Sequence, residues 1–445
     1  MKKLLALFMA MLILLSLAAC GEDPAPAANT PSDPAATTPS NNSDNTSSDN
    51  TSSGSTETEH NLFSHGLLVV QTGGQWGYIN EKGEMVIQPI YDSADPFAAN
   101  GLARVKLNGK VGYINEKGEM VIQPIYDYAS SFAANGLARV EINGKWGYIN
   151  EKGETVIQPI YDGADVFATN GLAGVIINGK VGYINEKGEM VIQPIYDGAD
   201  VFAANGLARV GLNGKLGYIN EKGEMAIQPI YDDADVFTAN GLARVELNGK
   251  VGYINAKGEM AIQPIYDDAD VFDANGLARV ELNGKCGYIN EKGEMVIQPI
   301  YDYTWGFAAN GLARVRNGKW GYINTMGETV IQPIYDAARD FADNGLAPVE
   351  LNGKWGYINE KGETVIQPIY DWAHSFADNG LAHVELNGKV GYINAKGETV
   401  IQMIYDRAYT FYDDGYAVVE LSDQYGVINE KGEFVIPAIY ELIMW

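Results

Sequence analysis

An all-β array of repeats is the fold class this sequence predicts, and three observations predict it. A stretch of the form Trp76-Gly77-Tyr78-Ile79-Asn80, followed by Gly83-Glu84 and by Val86-Ile87-Gln88-Pro89-Ile90-Tyr91-Asp92, returns along the chain in near-copies. The copies begin at Gly66, Gly101, Gly136, Gly171, Gly206, Gly241, Gly276, Gly311, Gly345, Gly380 and Gly415, which makes eleven units of 35 residues, the eighth one residue short. Within each copy apolar and polar side chains alternate with the period of a strand, and the alternation breaks at Asn-Gly and Lys-Gly-Glu turn signals. A repeat array grows by addition of units, so 445 residues here imply one repeat domain, residues 60–445, and not several unrelated ones.

The second unit shows the local argument. LARVKL at 102–107 alternates, Asn108-Gly109 supplies a two-residue turn that needs positive φ, and KVGYIN at 110–115 resumes the strand. A second turn at 116–119 leads into the β-formers MVIQPI at 120–125. Pro124 has no N–H to donate and marks an edge or the end of pairing. After Tyr126 come an Asp, a run of small residues and an Asn-Gly stop, which predict a short helical turn over 127–134 with Asp127 as its cap. Each unit is thus expected to be a three-stranded antiparallel meander plus a short helical turn. One such unit cannot bury its own strands, so neighbours must stack.

An open superhelical array is the expected way of stacking. A closed β-propeller is the alternative, disfavoured because propeller blades usually have four strands and number four to eight. The ends of the array depart from the pattern at Leu67-Leu68-Val69-Val70-Gln71 and at Tyr440-Glu441-Leu442-Ile443-Met444-Trp445, as caps would.

Ahead of the repeats, Met1-Lys2-Lys3 and the apolar run 4–17 form a secretory leader too short to span a membrane, ending in Leu17-Ala18-Ala19-Cys20. That ending resembles a bacterial lipobox, which implies a signal peptide at 1–19 and a lipid anchor on Cys20. Residues 20–59 are Ser, Thr, Asn, Asp, Pro and Ala with almost no large apolar side chain, the composition of a disordered tether. Its reach is roughly 30–40 Å as a coil. The expected location is therefore the extracytoplasmic face of a cell membrane, with contact to the membrane through the lipid only.

Lys plus Arg number 31 against 57 Asp plus Glu, a formal charge of -26, which disfavours nucleic acid as a partner. Cys20 and Cys286 stand in unrelated contexts, so no structural disulfide is expected; Cys286 replaces the Trp of the motif and reads as a core residue. Four histidines exclude a His site repeated in every unit. No GxSxG, HExxH, P-loop or CxxC pattern occurs, so neither an enzyme nor a cofactor is expected.

Recognition belongs where the copies disagree, in the segment after each Tyr-Asp. Units three to six carry acids there, among them Asp235, Asp268, Asp270 and Asp273, a ladder that could take Ca²⁺. Units seven to ten carry Tyr303, Trp305, Arg339, Trp372, His374, Arg407 and Tyr409, side chains suited to stack on sugar rings or to anchor a protein. Taken together, Gly-Lys-Trp-Gly-Tyr-Ile-Asn and Gly-Glu-x-Val-Ile-Gln-Pro-x-Tyr-Asp resemble the bacterial WG repeat family over 66–445, although seven units replace the Trp. The resemblance implies a β-rich scaffold on exported or surface proteins. The expected function is a monomeric, membrane-anchored scaffold that binds an envelope or host protein or glycan, with a ligand-free structural spacer and a wall-polysaccharide enzyme as alternatives.

Overall fold

The structure, a computed structural model, describes residues 61–444, so Cys20, the leader and the tether lie outside the described residues. Among the described residues there is no helix, and the strands form eleven four-stranded antiparallel sheets. In the second blade the order is Ser93–Ala94, Leu102–Leu107, Lys110–Asn115 and Met120–Tyr126. Three of these strands are the expected meander. The hairpin turn places Asn108 at φ 51° and Gly109 at φ 77°, the type I′ geometry that Asn-Gly adopts at low cost. In the next turn Asn115 Oδ1 accepts from the N–H groups of Lys117 and Glu119, both at 3.0 Å. Pro124 lies on the edge strand, where its missing donor leaves no ladder bond unmade.

The Gly of the repeated Trp-Gly pair has a steric cause. At Gly112 the ladder slips between Val111 and Tyr113, and the edge strand bulges across the glycine. A Cβ there would stand 2.5 Å from the Ile122 carbonyl oxygen. No side chain fits, whereas the residue before it needs only to be apolar; Cys286 fills that role at 1% exposure.

The predicted helical turn is not formed. Its place is taken by a two-residue strand, Tyr128–Ala129, that pairs with Leu137–Ile142 of the following unit. The N–H groups of Asp127, Ser130 and Ala133 go to the carbonyls of Glu141, Arg139 and Leu137 at 2.9–3.0 Å, so none is left for a helix. The small residues serve packing, since Ala129 is wholly buried between blades. Nor does Asp127 cap anything: one carboxylate oxygen accepts from the Asn143 N–H at 2.8 Å and the other pairs with Lys110. Lys145–Asp162 and seven further pairs repeat this latch between hairpin turns. The shortened eighth copy keeps it, with Asp302 accepting from the Gly318 N–H at 2.9 Å.

The open array is likewise replaced by its alternative, a closed eleven-bladed β-propeller. Leu442–Met444 is the first strand of the blade formed by Leu67–Thr72, Gln75–Asn80 and Met85–Tyr91, with Val69 opposite Met444 and Val70 opposite Ile443. The two irregular ends are therefore the halves of one blade, not caps. Glu441 reproduces the latch, its oxygens accepting from Gly73 at 3.1 Å and Gly74 at 2.9 Å. The core confirms closure. It consists of layers between blades, such as Val111, Tyr113, Ile122 and Tyr126 against Ala129, Ala138, Val140 and Ile149. One such layer joins the ends, packing Leu62, Phe63, Leu68 and Val70 on Val418, Val427, Ile436 and Ile443. A buried tyrosine fastens ten of the boundaries; Tyr148 donates its hydroxyl to the Asp165 carbonyl of the next blade at 2.6 Å.

Candidate functional site

The two-residue strands bring the variable positions into register. Nine of the ten end in an Ala and the other in Thr304, and this residue turns into the layer against the preceding blade, so the residues on either side of it point the other way. The third residue of the neighbouring strand joins them: Arg104, Arg139, Arg209, Arg244, Arg279 or Arg314 in six blades, and Gly174, Pro348, His383 or Val418 in four others. Three side chains per blade thus meet at each boundary. Many of the arginines reach onward, as Arg104 and Arg139 do by donating to the Ala129 and Ala164 carbonyls at 2.7 Å. The result is a belt of crevices, one per boundary.

In blades six and seven the belt is ionic. Arg244 lies 3.3 Å from Asp233, 3.8 Å from Asp235 and 3.5 Å from Asp268. Arg279, which is buried, lies 3.0 Å from Asp268, 3.2 Å from Asp270 and 3.4 Å from Glu281. Asp273 accepts from the backbone of Asn275, Leu277 and Phe307 at 2.8–3.1 Å. A hollow of about 600 Å³ lies over these groups. The carboxylates face guanidinium or N–H donors, and among the described residues no group of three or more His, Cys, Asp or Glu is placed to hold a metal ion. Of the four acids expected to take Ca²⁺, Asp235, Asp268 and Asp270 stand beside guanidinium groups and Asp273 accepts from backbone N–H groups. Burial raises the carboxyls of Asp235 and Asp270 above the usual range, while at Asp268 burial is outweighed by hydrogen bonding to Arg279, which lowers it.

From blade eight the belt turns aromatic. Tyr303 and Trp305 meet edge-on at 5.6 Å, and Tyr303 also meets Trp320 at 6.1 Å. Guanidinium groups lie against these rings: Arg279 is 5.7 Å from Tyr303, Arg314 5.1 Å from Trp305, and Arg316 5.7 Å from Trp320. Tyr303 at 37% and Trp305 at 47% exposure are open to solvent. In the next crevice Arg339 sits between Trp355 at 5.4 Å and Trp372 at 4.9 Å, and His374 stacks on His383 at 3.9 Å. Arg407, 3.6 Å from Glu420, opens the short strand Arg407–Ala408, and Tyr409, which follows it, packs onto the closing layer.

The seven aromatic and cationic residues singled out in the sequence therefore occupy three neighbouring crevices and not a single pocket. Sequence reasoning missed their partners Trp320, Trp355 and His383, which lie on scaffold strands. It also missed a separate cluster in blades two and three, where Tyr128 lies 5.3 Å from Trp146 between Arg104 and Arg139. A signal existed: Tyr128 and Tyr303 each precede a unit that retains its motif Trp, Trp146 and Trp320.

The family model described as WG containing repeat matches the chain eleven times, over residues 76–110, 112–146, 146–180, 182–215, 217–250, 252–286, 287–319, 320–355, 355–389, 391–424 and 425–444. No curated protein sequence matches the chain. Among solved structures it is similar to a eukaryotic initiation factor, at 11% identity and a TM-score of 0.40 over 85% of this chain and 98% of that one. It is similar also to the extracellular domain of a putative one component system from B. thetaiotaomicron, at 9% identity and a TM-score of 0.25 over 83% of this chain and 70% of that one. A third likeness, to the tricorn protease, has 10% identity and a TM-score of 0.25 over 79% of this chain and 46% of that one.

Proposed function

The chain belongs to the WG containing repeat family, and from that premise we propose that this propeller is an exported scaffold, tethered to a membrane by a lipid on Cys20, that binds an envelope or host protein or glycan. The binding face is the aromatic arc of the belt, centred on Tyr303 and Trp305 and extended by Arg339, Trp372, His374, Arg407 and Tyr409. One observation carries this reading: Tyr303 and Trp305 are large rings left 37% and 47% exposed, whereas the short strands of blades four to seven place Gly or Asp at the same positions. Exposed aromatics flanked by guanidinium groups suit both sugar faces and protein anchors.

The test is binding of the 60–445 ring to envelope fractions. Tyr303→Ala with Trp305→Ala is expected to weaken it by about ten-fold or more, the scale of interface anchors. Unchanged binding would remove the arc from the proposal. The anchor is tested apart from the arc, since Cys20→Ala should move the full chain from the membrane to the soluble fraction. The proposal includes no catalysis and no cofactor. A pure length spacer has less to support it, because a closed ring does not lengthen unit by unit as an open array would.

A further inference from the structure

The crevice between blades nine and ten holds a pair of groups that the rest of the ring lacks. Every other Arg-bearing short-strand crevice can place a cation against an acid, a carbonyl or a ring. Here the two facing positions are His374, following the strand Trp372–Ala373, and His383, within Leu381–Leu386. Their imidazoles stack at 3.9 Å with 24° between planes. The Trp372 indole N–H donates to His374 Nε2 at 2.9 Å, so that nitrogen carries no proton and the ring is neutral. The Trp372 ring in turn covers Arg339 and meets Trp355 at 5.1 Å. His383 is 8% exposed and meets the Tyr392 ring at 6.1 Å.

The groups around the pair are a guanidinium, two tyrosines and one carboxylate of its own strand. The preceding blade contributes Arg339 and the Tyr357 hydroxyl, which donates to the His374 carbonyl at 2.7 Å. The pair's own blade contributes Tyr392, whose hydroxyl donates onward to the Tyr409 carbonyl at 2.7 Å, and Glu385, which lies opposite Trp372 in the ladder. Asp371 is taken by Lys354 and by the Asn387 N–H. Adding a proton to His374 Nε2 replaces an acceptor by a donor against the indole N–H. It also sets a cation on a stacked imidazole and beside a guanidinium.

We propose that the His374–His383 stack is an acid-operated release, in which protonation of the imidazoles unfastens the Trp372–Ala373 strand and frees the Trp372 indole from its crevice. Burial, with Arg339 as the second cause, lowers His374 from 6.5 to about 4, and burial lowers His383 well below 6.5. An imidazole whose folded value is depressed binds its proton more readily when the strand opens. The closed crevice is therefore fully favoured above pH 6.5 and loses that advantage as pH falls from 6.5 through about 4. The release stands on the geometry of the crevice; only its extension, that acid loosens the grip on a partner at Trp372, rests on the aromatic-arc reading.

The experiment is a titration of the full chain from pH 8 to 3, following the histidine ring resonances and acrylamide quenching of indole fluorescence. His374 and His383, assigned by His374→Gln and His383→Gln, are expected to stay neutral well below pH 6.5, His374 until near pH 4, with a rise in quenching as they titrate. His374→Gln keeps an acceptor for the indole N–H without a titrating group, so its acid step should be lost while its fluorescence at pH 7.5 stays as in the parent. If both imidazoles titrate near 6.5, or if the quenching step survives in both Gln variants, the release does not exist. Because neither readout needs a partner, an arc that binds nothing leaves the test intact.

Discussion

Blades six and seven and blades eight to ten share one backbone and differ at three side chains per boundary. In the first region Arg244 and Arg279 are each surrounded by carboxylates, and the crevice is a closed exchange of charge. In the second the same short strands carry rings, and Arg314, Arg316 and Arg339 lie against aromatic faces. The difference teaches where a repeat protein can vary. The ladder bonds, Tyr hydroxyl staples and Lys–Asp latches are backbone-like and recur whatever fills the crevice, so crevice contents are free to specialise. Ion pairs satisfy one another internally, whereas exposed rings leave unused contact surface.

The contrast can be broken or sharpened by experiment, and the largest effect is expected at one structurally equivalent position. Trp372→Ala should destabilise the full chain by about 2–3 kcal/mol in denaturant unfolding, because it opens space against Trp355 and His374. Asp268→Ala should cost less than about 1 kcal/mol, since its carboxylate is half exposed. Equal costs would mean that the two crevices are packed alike. Next is the arginine. Arg279→Met leaves Asp268, Asp270 and Glu281 without their shared cation and is expected to cost about 1–3 kcal/mol. Arg316→Met, on the exposed face of Trp320, should stay within about 0.5 kcal/mol.

Acid should pull the regions apart. Asp235 and Asp270 have carboxyls raised by burial, so the folded state holds their protons more tightly and their cost at neutral pH is relieved as pH falls through those values. His374, lowered to about 4, works in the opposite sense between 6.5 and 4. Amide exchange at pH 7 and pH 5, corrected for intrinsic rates, should show Trp372–Ala373 losing protection relative to Asp268–Ala269. Parallel changes would break the comparison. The latch carboxylates such as Asp127 and Asp162, lowered first by hydrogen bonds from Lys110 and Lys145, hold their contribution above 3.8 and lose it as pH falls through their folded values. The smallest effect is that of salt: raising it to 1 M should weaken blades six and seven by less than about 1 kcal/mol, and blades eight to ten, which keep the Lys–Asp latches but fewer crevice ion pairs, by less still.

Much of this was legible residue by residue. The Asn108-Gly109 turn, the Pro124 edge and the buried Cys286 follow from φ preference, a missing donor and an apolar slot, all of which act within a few residues. The segment after Asp127 was misread because its composition suits a helical turn, and the competing partners, Glu141, Arg139 and Leu137, lie several residues downstream. The variable positions follow each Tyr-Asp in the sequence and flank the short strand of each blade. Their companions were not legible, because Arg339 meets Trp355 and His374 meets His383 only after a new strand has been laid beside the old one.

The sequence by itself determined the number of units, the hairpins, the turn residues and the apolar positions, since each depends on local sterics and on alternation along a strand. Only the tertiary structure decided that the array closes. Closure depends on every boundary turning the chain by one eleventh of a circle, an angle that no single unit encodes and that Ala129, Tyr148 and their counterparts set through packing. Once that angle is summed around the ring, Leu442–Met444 arrives beside Leu67–Thr72, and two ends that look like caps become one blade.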